Sequence, residues 1–358
     1  MFDFIKFKEE NQSNMNVLLS KTDNLFLHSN KWTEFQKTLG RSVSQYLIYK
    51  DTEIVGYLYI ENNYRKLTKY AYSPFNPIVD FKKIEGHIDN FLIDLNQFAK
   101  TYLKENNLNV FRFDPFKWDL NLETELTKAG FKRTLAAVGP KYMWEIDLSK
   151  TEEELFADMK KVARYNIRSS EKAGIEIFRA SEEIKQYEEP QARQNELINE
   201  FYKILEETTK RQGFSSFDLN YFQKQAEVLS LGDQCELFLA KYNGQYVSGA
   251  WVNSSENTIS YTHGGSIPNP EIQKFGASYL LHWTVIKYAK SLGKKYYNMW
   301  GVVPDDVLHA PLKGVSDFKK RFGGQMIINI GGFEVGKDTI NSTINKLYDL
   351  WVYRKDRT

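Results

Sequence analysis

Asp114 closes the run Arg112-Phe113-Asp114-Pro115, which reads as the end of a strand. In an open sheet the strand ends line a cleft, so a carboxylate there could hold an ammonium group and take its proton. A turn-forming aspartate before Pro115 accounts equally for the residue. His263, within Tyr261-Thr262-His263-Gly264-Gly265, could face the same cleft or serve the fold. Lys160, Arg164, Arg168 and Lys172 recur every four residues and share one stripe of a helix, with Leu155, Met159, Val162 and Ala163 on an apolar face. Such cations suit phosphates, of a nucleic acid or of a diphosphate, and a solvated face reads the same way. Cys235 is the only cysteine, which rules out an internal disulfide and a multi-cysteine metal site; no metal is expected.

These residues need a scaffold, and the chain is long enough for two. Its 358 residues exceed one ordinary domain, and 42% apolar and 15% aromatic content can fill two cores. Near-balanced charge, +2 in all, argues against a protein wrapped in nucleic acid but leaves room for a local basic patch. Met1-Phe2-Asp3-Phe4-Ile5-Lys6 lacks the basic-then-apolar pattern of a signal peptide. No stretch approaches the roughly 18 uncharged apolar residues of a membrane span. A soluble, cytoplasmic protein is expected.

One plan is written twice. Leu47-Ile48-Tyr49-Lys50 with Ile54 to Tyr59 reads as a β-hairpin, and so does Phe238-Leu239-Ala240-Lys241, Asn243-Gly244 and Val247 to Trp251. Phe91, Leu92, Leu95, Phe98, Ala99 and Tyr102 sit at helical spacing, and Leu281, Val285, Tyr288, Ala289 and Leu292 repeat them. Strands follow at Val110–Phe113 and Tyr296–Met299, and every pair is offset by about 190 residues. The order of elements predicts an α/β fold, a mixed sheet covered by helices on both faces, in each copy. It resembles two tandem N-acetyltransferase-like (GNAT) domains, over residues 1–145 and 146–334, with 335–358 packing back on the first. Ala129-Gly130-Phe131 suits that fold, or a plain helix C-cap. A coenzyme A pyrophosphate wants a glycine-rich turn at a helix N-terminus. Ile272-Gln273-Lys274-Phe275-Gly276-Ala277 has one glycine and a bulky Phe275, and Lys83-Ile84-Glu85-Gly86-His87 carries an acid, so acetyl-CoA is disfavoured.

Two stretches narrow the class. Met159-Lys160-Lys161-Val162-Ala163-Arg164-Tyr165-Asn166-Ile167-Arg168 and Asp317-Phe318-Lys319-Lys320-Arg321-Phe322-Gly323-Gly324 resemble the Fem-type (FemABX) peptidyltransferases. The likeness extends to Leu27–Phe35, to Arg112-Phe113-Asp114-Pro115 and to Tyr296–Gly301. No charged heptad run matches the long coiled-coil arm of staphylococcal-type members, so the chain resembles the shorter branch, which acts on UDP-linked muropeptides. The resemblance implies transfer of an amino acid from aminoacyl-tRNA to the stem peptide of a peptidoglycan precursor, with no cofactor. It implies Lys319, with Phe318 beside it, at the reacting oxyanion or departing ribose oxygen; Asp114, at its strand end, stays open between partner of the acceptor amine and turn former. Trp32, Ser73 and Asn76 would line the precursor cleft, and Arg112, Arg164, Arg168, Arg211 and Tyr261 would contact substrate. A core role for Trp32 and solvated or weakly phosphate-binding roles for Lys320 and Arg321 are the plain alternatives.

After Arg211-Gln212-Gly213-Phe214, Ser215-Ser216-Phe217 stands where a basic residue would help hold phosphates. UDP-linked and lipid-linked acceptors thus both stay open. So do a small-molecule or protein acceptor and a non-catalytic precursor-binding protein. Ile340, Ile344, Leu347, Tyr348 and Trp351 form an amphipathic stretch expected to pack on the body, or to touch a membrane surface weakly.

Overall fold

Among the described residues, fifteen strands of the computed structural model form two sheets; the structure describes residues 1–64, 69–134, 139–213, 215–269, 274–307 and 313–336. The expected amphipathic stretch at 340–351 lies outside the described residues, as do Phe214 and the first part of the turn before Ala277.

In chain order the strands are β1 (Phe2–Lys6), β2 (Ser42–Lys50), β3 (Glu53–Tyr64), β4 (Lys69–Phe75), β5 (Ile78–Val79), β6 (Val110–Pro115) and β7 (Lys132–Arg133). There follow β8 (Tyr142–Asp147), β9 (Glu176–Arg179), β10 (Cys235–Tyr242), β11 (Gln245–Ser254), β12 (Thr258–Ser266), β13 (Tyr296–Gly301), β14 (Gln325–Ile328) and β15 (Phe333–Gly336). The first sheet runs β1-β2-β3-β4-β6-β15-β7, with β5 on β3. Reversed, the second runs β9-β10-β11-β12-β13-β8-β14. Each has one parallel pair at its centre, β4 with β6 and β12 with β13. In each, the strand beyond that pair is drawn from across the chain. β15, from the far end, lies on β6, and β8, from before the second sheet, lies on β13.

Packing divides the chain into two units. One comprises Met1–His28, Gln36–Lys141 and the segment from Ile328; the other comprises Ser29–Phe35 and Tyr142–Ile327. The division near residue 145 read from the sequence falls inside β8, which belongs whole to the second sheet.

The first unit's core is the helix Ile88–Glu105 on its sheet. Of the positions picked out by helical spacing, Phe91, Leu92, Leu95, Ala99 and Tyr102 are buried in one cluster with Phe111 and Phe113 of β6, and Phe98 is half-buried at its edge. Each large apolar side chain so removed from water contributes roughly 1.5–3 kcal/mol. The helix Leu122–Lys128 ends at Ala129, Gly130 takes φ +92°, and Phe131 N–H reaches back to the Leu126 carbonyl. That is a helix C-cap with a buried Phe131 behind it.

The second unit repeats the arrangement with the helix Ala277–Ser291. Leu281, Val285 and Ala289 are buried, whereas Leu292, expected on the same face, is the C-cap residue and lies exposed. Its hairpin β10–β11 turns on Asn243 and Gly244, both at positive φ, which matches the right-handed twist of the strands. The cationic stripe is not on one continuous helix. Glu152–Asp158 and Lys161–Lys172 are separate helices, because Met159 and Lys160 turn extended between them. Val162, expected on the apolar face, is exposed.

Candidate active site in the second unit

The cleft begins where two parallel strands part. β12 and β13 pair only from Thr258 opposite Tyr296 to Ser260 opposite Asn298. Beyond that point β12 stays on β11 as far as Ser266, while β13 breaks its register on β8 between Asn298 and Gly301. Trp300 takes φ +66° there, and its N–H bonds to the Asn298 side-chain oxygen. A left-handed tryptophan is a strained choice, and it turns the strand end away from β12.

The gap is a cavity of ≈ 680 Å³ lined by Tyr261–Ser266 on one side and Trp300–Val303 on the other. Thr208 and Arg211 from the helix Pro190–Gln212, Ser278 and His282, and Phe318 and Lys319 from the helix Lys313–Lys319 complete it. The Gly264-Gly265 pair is dictated by crowding. A Cβ at Gly265 would lie 2.0 Å from Thr208 Oγ1, and one at Gly264 2.4 Å from the Gly249 carbonyl oxygen.

Lys319 is the charge inside this cleft. Its side chain is 7% exposed, Nζ donates to the Gly301 carbonyl at 2.7 Å, and the ammonium sits 6.0 Å from the centre of the Tyr261 ring. No carboxylate pairs with it among the described residues. Burial without a counter-charge pulls its pKa down from 10.5 to about 7.

Aromatic rings build the wall around Lys319. His282 lies edge-on to Tyr261 at 4.5 Å and to Phe318 at 5.4 Å, with Nδ1 2.7 Å from the Tyr297 hydroxyl. Burial and then the Lys319 charge lower the His282 pKa to about 3. His263, under Phe217, Tyr221 and Phe222, is lowered to about 4 by burial. Both imidazoles are therefore neutral at pH 7. Of the two neighbours of Lys319, Lys320 is buried rather than solvated, whereas Arg321 is half-buried. Lys320 is buried on the Val303 carbonyl and Asp305, and Arg321 donates to the Tyr279 hydroxyl.

Other expected site residues are placed as follows. Arg211 is exposed on the rim and donates to the Ser266 carbonyl at 3.1 Å. Arg164 is turned inward on the helix break, donating to the Ala157 and Met159 carbonyls, while Arg168 is exposed and stacks on Phe156 at 5.3 Å. Trp32 is a buried residue of the second unit, not of the first, and packs on Phe35, which meets Tyr221.

The first-unit candidates are all buried and engaged within their own unit. Asp114 accepts from the Tyr72 hydroxyl at 2.6 Å and Gly139 N–H at 3.0 Å. Arg112 is sealed in an ion pair with Glu334, 2.9 Å apart. Ser73 donates to the Tyr59 carbonyl, and Asn76 accepts from Tyr59 N–H at 3.1 Å. Tyr59 falls between the stretch of β3 paired with β4 and the stretch paired with β5, so these two side chains satisfy backbone groups that no strand reaches.

His282 escaped the sequence reading because it stands in the apolar run Tyr279-Leu280-Leu281-His282-Trp283. A lone polar residue at a helical core position was the available signal. Among the described residues no His, Cys, Asp and Glu cluster could hold a metal, and no helix is long and apolar enough to cross a membrane.

With that geometry established, the relatives can be set beside it. The model of the FemAB family matches residues 19–247 and 243–348. The chain belongs to the FemAB family, and its enzyme class is the aminoacyltransferase class of that family. The lipid II:glycine glycyltransferase of Staphylococcus aureus (strain MRSA252) is 21% identical over 407 residues, covering 90% of this chain and 91% of the relative. That of strain USA300 is 20% identical over the same span. The crystal structure of FemX superposes with a TM-score of 0.76 at 19% identity, over 92% of this chain and 96% of that one. A tandem GNAT protein from the clavulanic acid biosynthesis pathway gives 0.52 at 9% identity, over 94% and 99%. These likenesses establish the fold: two mixed sheets in tandem GNAT-like units.

Proposed function

We propose that the chain takes an amino acid from aminoacyl-tRNA and joins it to the stem peptide of a peptidoglycan precursor, the step that forms an interpeptide bridge. The second unit holds the charged RNA end and the first receives the precursor. The observation that carries this reading is the buried, carboxylate-free Lys319 in the cleft between β12 and β13.

Aminolysis of an ester is downhill, so the enzyme must align the partners and stabilise the charge that develops. The acceptor amine attacks the ester carbonyl, and its electrons move onto the carbonyl oxygen. Collapse breaks the bond to the ribose oxygen, the amine gives up a proton, and the ribose oxygen gains one. Lys319 donates to the oxyanion, supplies the proton to the ribose oxygen, and as the neutral amine then takes up the proton that the attacking nitrogen releases. A pKa of about 7 suits both duties near neutrality. Phe318 and Tyr261 hold the ammonium dry, and Arg211 offers its outer nitrogens to phosphate at the rim. Asp114 works at second hand here, by fixing the strand end through Tyr72 and Gly139.

The names of the S. aureus relatives support a lipid-linked acceptor and a glycyl donor. A transfer assay with radiolabelled aminoacyl-tRNAs, given UDP-linked muropeptide in one arm and lipid-linked precursor in the other, tests the reading. Label reaching the stem peptide in either arm supports it and names the carrier. Label reaching neither, from every charged tRNA, refutes it.

A further inference from the structure

The helix Lys161–Lys172 buries Ala163, Ile167 and Ser170. At 100° per residue the ridge opposite that buried face is Lys161, Tyr165, Arg168 and Lys172, all within about 60° of one another. Tyr165 is 67% exposed, although an aromatic ring of that size is normally covered. Lys161, Arg168 and Lys172 have no ion-pair partner among the described residues. The surface of the helix Pro190–Gln212 is the counter-example, where Lys203 pairs with Glu200 and Lys210 with Glu207.

The basic ridge continues onto the helix packed beside it. Arg168 stacks on Phe156, Phe156 meets Trp283 at 5.5 Å, and Lys287 of the helix Ala277–Ser291 lies 5.7 Å over Trp283. Two rings thus hold two cations from different helices on one floor. Glu171 flanks the ridge on its own helix, turned to its side, and Glu152 and Glu153 of the helix that carries Phe156 are exposed within one turn of that ring. The ridge spans about 16 Å.

We infer that this ridge, Lys161, Tyr165, Arg168 and Lys172 with Lys287 beside it, is the docking surface for the double-stranded stem of the RNA donor. The inference rests on the reading of the chain as a tRNA-dependent transferase and adds to it the face that grips the RNA away from the reacting ester. Charge complementarity selects the occupant. Unpaired cations on a rigid helix match a duplex backbone, and an exposed tyrosine among them adds a ribose or base contact. Arg164, bound to its own backbone, is left out.

The test uses the full chain and a 3′-aminoacylated RNA minihelix, with affinity measured by fluorescence anisotropy across a potassium chloride series. The triple variant K161A/R168A/K172A should flatten the logarithmic salt slope by about two to three, since each lost phosphate contact removes about one. Its KM for the minihelix should rise tenfold or more while KM for the acceptor holds, and Y165A should weaken binding without changing the slope. Neutralising Lys203 and Lys210 together serves as the matched control and should leave the slope as in wild type. Wild type that binds and uses the minihelix, with the triple variant unchanged, would overturn this surface and leave the transferase reading standing. Wild type that neither binds nor uses any charged RNA would sink both. Loss of binding to phosphatidylglycerol vesicles, with RNA affinity intact, would reassign the ridge to a membrane.

Discussion

The same parallel strand pair is closed in one unit and open in the other. β4 and β6 stay paired through six residues, from Tyr70 opposite Val110 to Phe75 opposite Pro115. β12 and β13 stay paired through three and then part around the cavity that holds Lys319. From the third pair onward, where the second sheet opens, the first spends its polar side chains on closure: Arg112 on Glu334, Asp114 on Tyr72, Ser73 and Asn76 on Tyr59. One duplicated plan has thus yielded a sealed sheet and a sheet with a cleft, and a residue type that suggests chemistry in a strand does so only where the strands diverge.

Breaking the seal should have the largest effect. Arg112→Met leaves Glu334 buried without its cation and should cost about 3–5 kcal/mol, read as a lower urea midpoint at unchanged slope. A midpoint equal to wild type would show that the pair does not hold β15 on β6.

Emptying the cleft comes next. Lys319→Ala should keep the fold and lower kcat about 10²–10³-fold, roughly 3–4 kcal/mol of transition-state stabilisation. Full activity in that variant would remove Lys319 from the mechanism.

The same lysine should be costly to the fold. Its folded pKa of about 7 lies below the unfolded 10.5, so the unfolded chain binds more protons between those values. Stability therefore rises as pH climbs from 7 to 10.5 and is lowest below 7. Lys319→Met should lose that rise and be more stable at pH 7 by roughly 2–4 kcal/mol. Parallel pH–stability curves for the two proteins would contradict the burial argument.

The smallest effect separates the units most sharply. Asp114→Asn should leave kcat within a few-fold and cost about 1–3 kcal/mol of stability, because Tyr72 and Gly139 lose a charged acceptor. A stable Asp114→Asn protein with kcat down a hundredfold would put a reacting group in the first unit after all.

Much of this architecture is legible in the residues. Hairpin signals at Asn243-Gly244, helical spacing at Phe91 to Tyr102 and their repetition lead straight to both central sheets. Strand β15 is not legible, because nothing local in Phe333-Glu334-Val335-Gly336 says that its partner is Val110–Phe113. The break at Met159 and Lys160 is missed because apolar spacing survives a turn that changes direction without changing register. Lys319 is marked by its motif, yet its burial and missing counter-ion are facts of three dimensions. Ser73 and Asn76 look like cleft residues for the converse reason: the sequence shows their polarity and not the stranded Tyr59 backbone that consumes it.

The placement of β15 also sets the order in which this protein can be made. Arg112 and Glu334 are 222 residues apart, so during synthesis β6 waits, its outer edge unfilled, while the whole second sheet leaves the ribosome. Contacts of such separation form late and slowly, and an open edge meanwhile invites pairing with other chains. A chain stopped just short of Phe333 would carry a finished cleft and an unfinished first sheet, a state for chaperones and proteases to find.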